Sequence, residues 1–246
     1  MNSNKKSHQQ NVDNIEKLSI QVATFEPVYN PSETRLSIAN QQLLKTSGDT
    51  VLTTVMEAES ANNNAISART AAFGNFDGFV TRIINAVRIS DVTEQTVDQC
   101  ESIVRDLRNK RATEITPPAK APKATDEETE SSHNKIRNGS FDTKVENFNR
   151  LVVLLKTLVA YKPNETDLNI ESLRAKHGVL KLSNTSCITK EAAAVAAKRQ
   201  RQIALYAIKT GLVSVALDSK LYVKSAYGAN SPQYKSVSGI VFTRIK

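Results

Sequence analysis

The sequence predicts an all-α protein made of two tandem four-helix-bundle-like units that arose by internal duplication and are joined by a flexible linker. Three observations predict it. Breakers are sparse, eight Gly and seven Pro in 246 residues, which leaves long stretches free to run as helix. Apolar residues recur at three- and four-residue spacing, not in alternation, which is the helical period. The segment Tyr29-Asn-Pro-Ser-Glu-Thr-Arg-Leu-Ser-Ile38 matches Tyr161-Lys-Pro-Asn-Glu-Thr-Asp-Leu-Asn-Ile170, with six identities at an offset of 132, the mark of a repeat.

Residues 1–11 are polar and are expected to form a disordered tail. The first bundle unit spans 12–110. It opens with a helix over Val12 to Phe25, carrying Ile15, Leu18, Val22 and Phe25 on one face. The Tyr29-Asn-Pro31 piece ends it, because Pro disfavours helix in the residue before it. A very long helix follows from about Glu33 to Ala72, with Ser32 as its cap. A third helix is expected at Phe79–Arg88 and a fourth at Thr93–Asn109.

Residues 111–139 hold Pro117-Pro118, Pro122 and the acidic run Asp126 to Glu130, with little to bury, and read as a flexible linker. The second unit, 140–246, repeats the order: Phe141 to Ala160, a long helix from about Glu165 to Ile208 capped by Asn164, then Leu212–Lys224 and Ser231–Ile245. Ser231-Pro232 is a strong start signal, a capping Ser followed by Pro at the first helical position. Gly211 to Leu217 has strand-like residue types, but the matching stretch of the first unit has helical spacing. Gly48 and Gly178 lie near the same point of the two long helices, where a glycine costs about 1 kcal/mol relative to Ala, and the sequence leaves open whether the helices bend or break there.

The residue inventory narrows the function. No Gly-x-Gly-x-x-Gly, phosphate loop or nucleophile elbow occurs. His8 falls in the tail, His133 in the linker, and His177 beside Gly178 with no ligand at metal spacing. No catalytic residue, metal, cofactor or small-molecule substrate is therefore expected. Cys100 and Cys187 read as reduced, buried small hydrophobes. With no signal-like or membrane-spanning stretch, the expected setting is the cytoplasm. Glu33 and Glu165 read as favourable first-turn charges. Tyr29 and Tyr161 read as rings packed at a bundle end with wet hydroxyls.

Charge is uneven. The net charge is +8, yet residues 1–110 carry −2 and residues 140–246 carry +10. The densest basic spot is Lys190, Lys198, Arg199 and Arg201; at helical spacing Lys190, Lys198 and Arg201 share a broad face while Arg199 splays aside. The expectation is a non-enzymatic structural or interaction (scaffold) protein acting through helical-bundle surfaces, with a protein partner or self-association and no membrane. The alternative is a sequence-nonspecific nucleic-acid-associated protein using those four residues on the basic second bundle.

Two pieces, Tyr161-Lys-Pro-Asn-Glu165 and the stretch Tyr227 to Arg244 with Gly228-Ala-Asn-Ser-Pro-Gln-Tyr-Lys235, resemble a group of bacterial hypothetical proteins in which such motifs recur. The resemblance covers mainly residues 140–246; the first unit departs from it, with Val92 to Thr96 in place of the Ser-Pro-Gln-Tyr element. It implies a bacterial origin and a helical fold, and it transfers no activity or binding residue.

Overall fold

The computed structural model describes residues 3–108 and 141–245, with side chains from His8 onward. The expected linker, 111–139, lies outside the described residues. Among the described residues the chain is all-helical, without a strand. In order come α1 (Ser3–Ala23), a 3-10 turn (Thr34–Leu36), α2 (Ile38–Ala72), α3 (Phe76–Arg88), α4 (Glu94–Leu107), α5 (Phe141–Thr157), α6 (Ile170–Tyr206), α7 (Leu212–Tyr227) and α8 (Pro232–Ser238). Among these residues no helix is long and apolar enough to cross a membrane.

Several boundaries differ from the sequence reading. Residues 3–11, expected to be disordered, belong to α1, and His8 and Asn11 are buried there. The two long helices start five residues later than expected. Ser37 and Asn169 are the caps, not Ser32 and Asn164: the Asn40 amide donates to Ser37 Oγ at 3.2 Å and the Ser172 amide to Asn169 Oδ1 at 2.8 Å. The residues between the Pro and these caps close tight turns, Leu36 N–H on the Glu33 carbonyl and Leu168 N–H on the Glu165 carbonyl. Both long helices run unbroken through Gly48 and Gly178. The last helix ends at Ser238, not Ile245, and residues 240–245 continue without helix.

Two compact units divide the chain, and not at the boundaries 12–110 and 140–246. One, called here the terminal unit from its place in sequence, joins residues 1–64 with 189–246; the other, the central unit, is residues 65–188. The reason is where the apolar stripes find cover. The stripe of α1 (Val12, Ile15, Leu18, Val22) is buried with Leu212, Val213, Ala216 and Val223 of α7 and Val237 of α8. The stripe of α5 (Val145, Phe148, Leu151, Val152, Leu155) is buried with α3 and α4 through Val80, Ile83, Val87, Cys100, Val104 and Leu107. Each opening helix is thus covered by the closing helices of the other half of the sequence. Burying each such side chain contributes roughly 2 kcal/mol, so these pairings decide the division.

The two units share a local motif. Tyr29 and Tyr161 are buried, and their hydroxyls are not wet as expected. Each donates to a carbonyl seven residues on, Tyr29 to Leu36 at 2.7 Å and Tyr161 to Leu168 at 2.9 Å. Burial pushes the Tyr161 hydroxyl up to about 12, so it stays a donor throughout the physiological range. The charge contrast between the sequence halves does not carry over to the units. Residues 1–64 hold five basic and seven acidic side chains, residues 189–246 ten and two; the terminal unit mixes them.

Candidate binding crevice

Within the central unit, α5 and the first half of α6 face each other with charged stripes. On α5, Asp142, Glu146 and Asn149 lie at i, i+4 and i+7, one face of a helix. On α6, His177, Lys181 and Asn184 repeat the same spacing. These six side chains, with Val145 and Thr185, line an open crevice of about 280 Å³. Asp142 sits in the first turn of α5, where a carboxylate is favoured by the helix dipole.

The floor is rigidly built. Asn184, only 4% exposed, donates from Nδ2 to Asp142 Oδ1 at 2.5 Å and accepts at Oδ1 from Arg69 at 3.1 Å. The Arg69 guanidinium stacks 4.1 Å from the centre of the Phe141 ring, and its Nε is buried without a hydrogen-bond partner. Higher up, no ion pair joins Asp142 or Glu146 to His177 or Lys181. Burial first, and the Lys181 charge second, lower the His177 pKa; its imidazole is a neutral hydrogen-bonding group at neutral pH.

The terminal unit shows what the corresponding strip looks like when its side chains pair with one another. Gln9 donates to Asp13 at 2.9 Å along α1. On α2, Lys45 pairs with Asp49 at 2.8 Å and reaches Glu16 of α1 at 3.8 Å. Here each helix carries compensated neighbours. Gly48 sits between them, and a Cβ there would lie 2.7 Å from Val12 Cγ2 and 3.3 Å from Leu212 Cδ1. At an offset of 132 the partner of Gly48 is Leu180, not Gly178. Leu180 is fully buried in the central core with Val145, whereas nothing lies within 4 Å of a Cβ on Gly178. Side chains at a contact set how helices pack, and the two units differ here, a glycine against Val12 in one and a buried leucine in the other.

The four basic residues expected to bind nucleic acid have different surroundings. Lys198 pairs with Glu59 at 3.2 Å. Arg201 is half-buried and lines a small cavity of about 60 Å³ with His8, Leu52, Val55 and Met56, its Nε without a hydrogen-bond partner. Lys190 and Arg199 are exposed. Beside Arg201, the His8 Nδ1 lies 2.7 Å from the Tyr206 hydroxyl, and Asn11 donates to the same oxygen at 3.2 Å. Burial, then the Arg201 charge, push the His8 pKa down to about 4.

An apolar groove of about 620 Å³ lies elsewhere in the central unit, between α4 and α5. Ile103, Val153 and Leu154 form its apolar wall and Asp106 and Arg150, 3.9 Å apart, its rim. Sequence reasoning passed over both features. The only local signal for the crevice was acid–acid and base–base pairs at i, i+4 on two helices, Asp142/Glu146 and His177/Lys181. His177 has no ligand at metal spacing along its own helix, and the groups that face it come from α5. Among the described residues no group of three metal-ligating side chains converges. No family of known proteins, no curated protein and no solved structure matches this chain.

Proposed function

We propose that the protein is a non-enzymatic interaction protein, a helical scaffold that works through its bundle surfaces. In this reading the chain descends from duplication of a four-helix repeat, supported by the recurring Tyr-to-carbonyl hydrogen bond at Tyr29 and Tyr161. A reducing, cytoplasmic setting and a bacterial origin belong to the same proposal; Cys100 and Cys187, both buried and unpaired, fit it.

One observation carries it. Ile20 on α1 and Val153 on α5, at corresponding places in the two units, are 65% and 55% exposed. Single exposed aliphatics need no explanation. The same face left bare twice, and in the central unit opening onto the Ile103–Leu154 groove, is a surface for a partner. The occupant we favour is a second copy of the chain, because a self-complementary contact covers the face on both molecules at once. Sedimentation velocity is the test. The wild type should exceed monomer mass in the micromolar range, and Ile20→Asp with Val153→Asp should return it to monomer with helicity unchanged. A wild type that sediments as monomer at every concentration overturns the reading.

The second reading, nonspecific nucleic-acid binding, is favoured by the ten basic against two acidic residues of 189–246 and by exposed Lys190 and Arg199. Binding to a DNA duplex should weaken with salt, and Lys190→Gln with Arg199→Gln should lower the log–log salt slope by about two. No binding at low salt removes it.

A further inference from the structure

We propose that the α5–α6 crevice of the central unit binds a small zwitterion of the α-amino-acid type, its ammonium held by Asp142 and Glu146 and its carboxylate by Lys181 and His177. The case starts from the charge order. Each wall carries two groups of one kind at i, i+4: two acids on α5, two bases on α6. The two acids repel along their helix, and Lys181, beside a neutral His177, is the one full charge of the other wall. The simple relief is an ion pair across the gap, and the crevice has none. A dipolar ligand supplies it, placing opposite charge against each wall simultaneously.

The terminal unit is an internal control for this reading. At corresponding positions it has Gln9 with Asp13 on one helix and Lys45 with Asp49 on the other, bonded within each helix at 2.9 and 2.8 Å. That strip satisfies itself. In the central unit three changes act together: Asp142 for Gln9, Lys181 for Asp49, and Leu180 for Gly48. The first two separate the charges onto opposite walls, and the third adds a leucine buried in the same core as Val145.

The crevice also suits a ligand of that size and chemistry. Its 280 Å³ are ample for a free amino acid. Asp142 is held through Asn184 and Arg69, so one carboxylate oxygen is preorganised and the second is left to a ligand. His177, neutral, offers a hydrogen bond to the ligand carboxylate without adding a second full charge beside Lys181. Val145 supplies the apolar edge for a short side chain.

The experiment titrates the full chain with glycine, L-alanine and L-serine, and separately with methylammonium and acetate as half-ligands, following the His177 imidazole resonances by NMR and heats by calorimetry. The amino acids should shift His177 saturably, with each half-ligand binding roughly tenfold or more weakly. Glu146→Gln and Lys181→Gln, both at exposed positions, should keep wild-type helicity and each weaken amino-acid binding by a similar factor. Three results overturn the proposal: acetate or methylammonium binding as tightly as the amino acids, no saturable shift with any amino acid, or binding unchanged in both variants. None of these outcomes bears on the sedimentation test of the scaffold reading.

Discussion

The terminal and central units place helices in corresponding roles and fill them with different chemistry. In the central unit the ring pair Phe73–Phe141, 4.8 Å between centroids, is wholly apolar. The terminal unit has Tyr206 and His8 in that place, 5.7 Å apart, hydrogen-bonded to each other and to Asn11. Leu173 and Ile83 of the central core correspond in the same way to Gln41 and Ser219. Gln41 is 0% exposed and donates to the Tyr29 hydroxyl, the Leu36 carbonyl and Ser219 Oγ, while its Oε1 has no partner. Ile84 of the central core has its counterpart in Lys220, which donates to the Ser238 and Ile240 carbonyls at 2.9 and 2.7 Å. The lesson is that one packing frame tolerates either an apolar filling or a hydrogen-bonded one. The polar filling gives up burial energy and gains direction, tying α1 and α7 to the chain beyond α8.

The contrast can be broken most severely at Leu180, buried in the central core, and its counterpart Gly48. Leu180→Gly removes a fully buried side chain and adds a flexible residue mid-helix, for about 4 kcal/mol lost in a urea melt. Gly48→Leu also destabilises, through its collision with Val12 and Leu212, because neither unit is built for the other's residue.

Exchanging the buried filling comes next. Leu173→Gln puts an amide into the apolar core of the central unit and should cost about 3 kcal/mol. Gln41→Leu should stay within about 1 kcal/mol of wild type, since it removes an orphan carbonyl along with its useful bonds. Equal costs for the two would mean that the terminal site is as dependent on polarity as the central one is on its absence.

A milder effect than either core loss is read with pH. The folded His8 titrates at about 4 instead of 6.5, so between those values the unfolded chain binds a proton that the folded chain refuses. Stability is therefore full above about pH 6.5 and falls as pH drops toward 4. The shift sets a ceiling of about 3 kcal/mol; helix ends open locally, so about 2 is expected. His8→Phe, which copies the central pair, should flatten this part of the acid limb of a thermal-melt series.

Much of the secondary structure was legible residue by residue. The Thr93 and Ser231 starts carry side-chain caps in the structure, on Thr96 and Tyr234 amides, because a capping bond spans three residues and needs no distant partner. The long-helix starts were misplaced for a related reason. Ser32 and Asn164 have the right side chains, but Tyr29 and Tyr161 draw the following turn into a tight 3-10-like step, through a bond across seven residues that a capping pattern does not reveal. The short α8 was hidden in the same way: helical spacing continues past Ser238, yet Asn11 and Asn14 of α1 take the backbone of residues 241 and 243.

By itself the sequence determined that this chain is helical, where most helices lie and which face of each is apolar, because periodicity, breakers and caps act over a few residues. Tertiary structure alone decided which stripe covers which, so that α1 closes with α7 and α8 and α5 with α3 and α4. It also decided that Asp142 and Glu146 come to face His177 and Lys181. An apolar face is attracted to any other of suitable shape, since the hydrophobic effect has no direction; the choice among partners is made by packing, as between Gly48 and Leu180, and packing exists only once the helices have met.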